Sequence, residues 1–334
     1  MDYRKLGSTG LEVSSLSLGT GLFGSGRRPT ETWGGCLDDK ETSLDIIHRA
    51  IELGINFIDT ANQYSTGESE EIVGEAISEY DRDELVVQTK AWAPMGTGPN
   101  TDGLSRKHLL DQASASMDRL GIDYIDIYMA HAWDPDTPIR ETLSAFDHLH
   151  SNGDVRYLGA SNFHEWQLMK ALWVADREGY EPIHTTEPEY SLIAREEEWN
   201  ALRPAIQENL GVTPYSPLGK GFLAGAYDRE EMPSSSSRIG HRRDSQWKWL
   251  NTEENWAVFD VVKEIATETD TTPVQVSIAW LLHKEVVDSV IIGPTTIEEL
   301  EECVGAVDVS LTEDQLERLE APVIPSYSGG WEER

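Results

Sequence analysis

Short runs of apolar and β-branched residues recur along the chain at residues 15–19, 55–59, 84–89, 124–130, 155–161, 183–187, 212–216 and 289–292. Between them lie stretches whose apolar positions fall three and four apart, the spacing of an amphipathic helix. In TSLDIIHRAIELG, Leu44, Ile47, Ile51 and Leu53 fall near one face, and Gly54 is placed to end the helix in a left-handed conformation. ESEEIVGEAISEY, RKHLLDQASASMDRLG, IRETLSAFDHLHSNG and IEELEECVGAV read the same way, with Ser105 as a cap ahead of the second of these. A strand followed by a helix, repeated eight times, predicts an α/β fold of the (β/α)8 TIM-barrel type rather than a two-domain dinucleotide-binding protein. The first residues, YRKLG-STG-LEVS, predict a small N-terminal β-hairpin with Gly10 at its turn. Three βα connections, residues 20–39, 92–104 and 222–252, exceed the usual ~4–6 residues and are candidate functional loops. No repeat or linker interrupts the pattern, so residues 1–334 read as one domain.

Charge changes the picture. Sixty acidic residues against 27 basic ones give a net charge of -33. Phosphate repulsion argues against nucleic acid and anionic membranes as partners. The acids are spread along the chain, and such a surface repels itself unless salt shortens the Debye length to ~3 Å, as at molar concentration. The expectation is a halophile's protein. Two cysteines, Cys36 and Cys303, exclude a disulfide framework and a metal site built on several thiolates. No apolar run approaches the ~18 residues of a membrane span, and MDYRKLGSTG carries no apolar signal core. A soluble, cytoplasmic protein is expected.

In a barrel of this kind catalytic groups sit at the C-terminal ends of strands. FIDTANQY puts Asp59 at a strand tip and Tyr64 in the loop beyond it, VVQTK puts Lys90 at the next tip, and IYMAH puts His131 at the one after. Singly, each has an ordinary explanation: a helix cap, a solvated amine, a structural imidazole. An acid, a phenol, an amine and an imidazole on three successive tips point to proton-transfer chemistry.

FIDTANQYSTGESEEIVGEAI, with Ser65 where glycine is usual, resembles the signature of the aldo-keto reductase family. So do VVQTK, the long stretch from Tyr124 through the Gly159-Ala160-Ser161-Asn162 segment, PYSPLGKGFLAG and VIIGPTTIEELEECVGA. The resemblance implies an NAD(P)(H)-dependent oxidoreductase acting on an aldehyde, ketone or sugar, with Asp59, Tyr64, Lys90 and His131 as catalytic tetrad. A tyrosine at its ordinary pKa of ~10 is a poor match to neutral pH; a neighbouring ammonium favours the phenolate, and Asp59 holds that ammonium in place. Tyr64 is then the general acid/base, with His131 polarising the substrate oxygen.

The resemblance also implies a cofactor, NADP or NAD. Its carboxamide would meet Ser161, Asn162 and Glu187, its ring would stack on Tyr215, and its pyrophosphate would lie along Ser216, Leu218 and Gly219 with Lys220 nearby. Gly19 and Thr20, in the glycine-rich SLGTGLFGSG, are further cofactor-contact candidates. Two departures matter. Glu187 stands where the family usually has Gln, and an ionised carboxylate can only accept. The adenosine loop reads Gly293-Pro294-Thr295 where Gly-x-Arg is usual, with Glu299 and Glu302 following and Cys303 in place of Asn. Acids there disfavour a 2′-phosphate, so usable NAD is expected unless Arg238, Arg242 or Arg243 folds over from the long loop. Trp33, Trp92, Trp133, Trp247 and Trp249 are candidate pocket walls. The alternatives are a non-catalytic nicotinamide-nucleotide-binding regulatory subunit of the same fold, and an acid-base isomerase or lyase.

Overall fold

A computed structural model of the chain describes residues 1–27, 29 and 36–323. The N-terminal hairpin pairs β1 (Tyr3–Lys5) with β2 (Glu12–Ser14) antiparallel. Eight parallel strands follow: β3 (Leu16–Gly19), β4 (Phe57–Asp59), β5 (Val86–Ala91), β6 (Ile125–Ala130), β7 (Val155–Ser161), β8 (Thr185–Glu187), β9 (Gly211–Val212) and β10 (Val290–Ile292). Each neighbours the next in the order β10-β3-β4-β5-β6-β7-β8-β9. Asp288 N donates to Val212 O (2.9 Å) and Ile291 N to Pro214 O (3.0 Å), which closes the sheet into a (β/α)8 barrel.

The helices among the described residues are α1 (Lys40–Glu52), α2 (Glu68–Ile77), α3 (Arg106–Leu120), α4 (Ile139–Asn152), α5 (Glu165–Glu178), α6 (Leu202–Glu208), α7 (Arg243–Leu250), α8 (Glu253–Glu268), α9 (Pro273–Leu282), α10 (Ile297–Val304) and α11 (Glu313–Glu320). None of them is long and apolar enough to cross a membrane. Their ends follow local chemistry. Ser105 caps α3 by accepting from His108 N, and α3 and α4 end at Gly121 (φ +65) and Gly153 (φ +83).

The structure departs from the sequence reading at α1, at β9 and in the loop 222–252. The buried face of α1 is Ser43, Ile46, Ile47 and Ala50, with Leu44, Ile51 and Leu53 half-buried beside it. At 3.6 residues per turn these four lie closer to one line than the four apolar positions do. Gly10 lies in the hairpin connection as expected, and Gly7 ahead of it adopts positive φ (+51), where a Cβ would stand 2.3 Å from Gly211 N. The strand expected over 212–216 shrinks to Gly211–Val212, because Pro214 has no N–H for the ladder. The loop 222–252 contains α7, and its Trp247 is buried in the core against Tyr227 and Trp256 rather than lining a pocket.

Strand alternation divides the barrel. Ile58, Val87 and Tyr128 point outward to the helices, while Phe57, Val86, Ile127 and Met129 point inward, where Leu6 and Val13 of the hairpin plug the lower end. The next inward positions toward the upper rim are Asp59, Gln88, Lys90, Ser161 and Glu187. The same two-residue period that builds the apolar floor aims polar groups at the mouth.

Candidate active site

Tyr64 opens a tight turn, Tyr64–Gly67, between β4 and α2, in which Ser65 and Thr66 hold φ of +51 and +59. This backbone explains why glycine suits position 65. Serine is held there by its hydroxyl, which donates to Phe23 O (2.9 Å) and accepts from Gly26 N (3.0 Å). Behind the turn, buried Glu70 of α2 accepts from Thr89 Oγ1 (2.5 Å) and Arg119 Nε (2.7 Å), fixing α2 against β5. A Cβ at Gly21 would approach Tyr64 Cζ to 3.4 Å, so glycine there leaves the hydroxyl end of the ring uncovered.

The four tetrad candidates converge. Lys90 forms an ion pair with Asp59, donates to Thr60 O (3.2 Å), and places its Nζ 5.5 Å from the Tyr64 ring centre. The His131 and Tyr64 rings meet edge-on at 5.8 Å and 82°. Gln63 Nε2 lies 2.9 Å from His131 Nδ1, and a donor there favours the tautomer with its proton on Nε2. Gln63 was not visible as a site residue in the sequence; only its place beside Tyr64 hinted at it.

Glu187 joins this cluster from the opposite side of the barrel. Its Oε1 lies 3.3 Å from Lys90 Nζ, and Gln88 Nε2 donates both to Glu187 Oε2 and to Asp59 Oδ1, each at 2.6 Å. Lys90 is fully buried, and Asp59 and Glu187 are 2% exposed, so two carboxylates and one amine share a site that water does not screen. Burial alone would favour a neutral Lys90, but Asp59, Glu187 and Tyr64 overcome it and hold the ammonium above its ordinary range. Burial, reinforced by Asp59, pushes Glu187 up to about 8 against the pull of Lys90 and Gln88. Gln88 escaped the sequence reading, although it stands two residues before Lys90 and therefore on the same barrel-facing side.

Around this centre the cofactor candidates fall into two groups. Ser161 Oγ donates to Glu187 O (2.9 Å), Asn162 Nδ2 donates to His131 O (2.9 Å), and Tyr215 OH donates to Asn162 Oδ1 (2.8 Å), so Ser161, Asn162, Glu187 and Tyr215 form one rim beside His131. Burial, with Glu189, Glu187 and Tyr64 behind it, raises the Tyr215 phenol. Ser216, Gly219 and Lys220 take φ of +56, +54 and +58 around Leu218, and a Cβ at Gly219 would stand 2.4 Å from Ile193 Cδ1. Lys220 pairs with Glu189. Gly19 and Thr20, by contrast, are explained without a ligand. A Cβ at Gly19 would meet Ile291 at 2.6 Å, and the buried Thr20 hydroxyl donates to Asp59 O (3.0 Å).

At the start of α10, Thr295 N and Oγ1 both donate to Glu299 Oε2 (2.7 and 2.9 Å), while Gly293 is exposed and Glu302 half-buried. Cys303 faces the core, where burial, then Glu302 and Glu299, push its thiol up to about 12. Arg238 of the long loop interacts electrostatically with Cys36, Tyr64, Tyr227 and Glu189 rather than with the Gly293–Thr295 loop. Burial lowers its guanidinium against the opposing pull of these four groups.

Among the tryptophans, Trp133 is wedged between Phe163 (5.2 Å) and Trp166 (5.3 Å), and Trp249 lies under Lys220 beside a cavity of 370 Å³ that Ile193 and Asn255 also line. Trp92 is half-buried, and Trp33 lies outside the described residues. Among the described residues no group of three or more His, Cys, Asp or Glu is arranged to hold a metal ion.

The family model described as "Aldo/keto reductase family" matches residues 15–323. The chain is 33% identical to the versiconal hemiacetal acetate reductase of Aspergillus parasiticus, over 97% of this chain and 98% of the relative. It is 33% identical to an aldo-keto reductase of Fusarium vanettenii, over 96% and 92%. It is 36% identical to a protein of Arabidopsis thaliana named "Probable voltage-gated potassium channel subunit beta", over 92% of each.

Proposed function

The chain belongs to the aldo/keto reductase family, and on that premise we propose that it is a nicotinamide-dependent oxidoreductase that interconverts an aldehyde, ketone or sugar carbonyl and its alcohol, with Tyr64 as general acid/base. The observation that carries this reading is the buried Lys90 ammonium, paired with Asp59 beneath the Tyr64 ring, which His131 meets edge-on. A cation in that position stabilises the negative charge left on the phenol oxygen when its proton moves to the substrate. His131, protonated on Nε2, offers a second donor to the same substrate oxygen.

The rim of Ser161, Asn162, Glu187 and Tyr215 fits a nicotinamide: a planar ring surface lies next to donors and acceptors for a carboxamide. When bound, the dinucleotide supplies or accepts the hydride. Ser216, Leu218, Gly219 and Lys220, which follow Tyr215 in the chain, are assigned the pyrophosphate. Arg238 supplies positive charge near Tyr64 and Glu189, whereas Glu299 and Glu302 are the groups assigned to the adenosine end. With two acids there and no arginine in Gly293-Pro294-Thr295, NADH is expected to serve within about tenfold of NADPH, a difference of ~1.4 kcal/mol. The check is kcat/KM for both dinucleotides in molar salt, and an NADPH advantage of several hundredfold would overturn it.

Cofactor oxidation measured against a panel of aldehydes, ketones and sugars in molar salt tests the whole reading. Turnover supports it. Tight dinucleotide binding without turnover on any of them would favour a non-catalytic nucleotide-binding subunit; the Arabidopsis relative is named as a potassium channel subunit.

The net charge of -33 supports a cytoplasmic protein of a salt-accumulating organism. Its thermal midpoint is expected to climb steadily between about 0.1 and 3 M KCl, as the Debye length shrinks from ~10 Å to under 3 Å. A midpoint that falls or stays flat over that range, followed by circular dichroism, would contradict this.

A further inference from the structure

The mechanism above uses one carboxylate beside Lys90, and the structure has two. Asp59 reaches the amine from β4 and Glu187 from β8, and Gln88 Nε2 donates to both, so the three charged groups are held as one unit. A neutral amide at position 187 would leave Asp59 and Lys90 balanced. An ionised Glu187 leaves the unit one negative charge in excess, directly beneath the phenol that must ionise in one direction of the reaction.

We infer that Glu187 is a positioning residue that acts through Lys90: when ionised it takes up part of the ammonium's charge, holds Tyr64 as the phenol, and biases the site toward carbonyl reduction over alcohol oxidation. This rests on the reading of Tyr64 as general acid/base. Reduction needs Tyr64 to begin with its proton, because that proton goes to the substrate oxygen; oxidation needs the phenolate to take the proton from the alcohol. A negative charge placed near the phenol stabilises the first form and opposes the second.

The other groups around Glu187 do not cancel its charge. Ser161 of β7 donates only to its backbone oxygen, and Tyr215, beyond β9, is itself a raised phenol. Farther out, Lys220 is paired with Glu189, and Arg238 lies near Tyr64 and Glu189. His131 lies across the Tyr64 ring. Burial and Asp59 bring the loss of the Glu187 proton to about 8, so its charge appears in the alkaline range.

The test compares wild type with Glu187→Gln, whose single amide oxygen can go on accepting from Gln88 while the contact to Lys90 is given up. Kinetics are measured in both directions across pH. Tyr64 ionisation is followed separately by tyrosinate absorbance, each protein against its own Tyr64→Phe derivative. In Glu187→Gln the alkaline limb of kcat/KM for reduction is expected to fall at a pH lower by about one unit or more. Alcohol oxidation near pH 8 should rise about tenfold, and the Tyr64 titration should move down by the same step. Superimposable profiles with an unmoved titration, or a change in dinucleotide KM alone, would overturn the inference while leaving the oxidoreductase reading intact. A moved titration with no turnover in either protein would support the charge coupling and count against the oxidoreductase reading. If that variant does not fold, Glu187→Asp, whose shorter side chain draws the carboxylate away from Lys90, takes its place: a Tyr64 titration and an alkaline limb that both move down support the inference, and neither moving overturns it.

Discussion

Tyr64→Phe is expected to lower kcat/KM for carbonyl reduction by about 10²–10⁴-fold while changing dinucleotide Kd by no more than about twofold. The substitution removes one oxygen and keeps the ring. The turn that carries it is held elsewhere, by the Ser65 hydroxyl on Phe23 O and Gly26 N and by the Glu70–Arg119 pair behind α2. The dinucleotide surfaces assigned to Ser161, Asn162, Tyr215 and the turn around Gly219 do not include the phenol oxygen. The loss should therefore fall on kcat, with KM for the dinucleotide nearly unmoved. Stopped-flow fluorescence gives the binding half of this expectation and steady-state rates the other. Equal losses in binding and turnover would mean that the ring, not the proton, carries the effect.

Lys90→Met is expected to be the more damaging change, because it acts on stability as well as on chemistry. It leaves Asp59 and Glu187 facing each other across Gln88 with no cation between them, both almost fully buried. Removing one partner of a buried ion pair typically costs about 3–5 kcal/mol, and here two acids are left behind. One of them would have to bind a proton, so the deficit should grow with rising pH. The linkage has a definite sign: a carboxyl whose folded-state pKa lies above its unfolded value contributes stability at low pH that is lost as pH climbs through the folded value. Glu187 already stands at about 8, and without Lys90 it moves higher. Denaturant midpoints for Lys90→Met at pH 5 and pH 8 check this. The variant should lie closer to wild type at pH 5. Adding Glu187→Gln should recover part of the loss at pH 8 but not the activity. A deficit independent of pH would mean that the damage comes from lost packing instead.

The corrections to the sequence reading share a cause. Trp247 looked like a pocket wall because it sits in a long loop between charged residues, but that loop folds a helix of its own and buries the ring on Tyr227 and Trp256. Ser43 and Ala50 of α1 do not stand out among apolar positions three and four apart, yet both lie on the buried face of the helix. In each case local composition competed with packing, and packing prevailed. Gly7 was missed for a related reason. Its positive φ serves the approach of Gly211, a residue about 200 positions later, and nothing near it in the chain signals that contact.

Strand and helix periods are local properties of the polypeptide, and so the (β/α)8 order, the helix ends at Gly54, Gly121 and Gly153, and the placement of Asp59, Lys90 and His131 at strand ends could all be read from the chain itself. The acid excess, a property of composition, was equally plain. Tertiary structure alone decided which of those groups share a dielectric environment. Glu187 appears in the chain as a substitution in a cofactor contact. Only closure of the barrel brings it across to Gln88, 99 residues away, and to the far side of Lys90. Charge coupling depends on distance and burial, and neither is written in residue order.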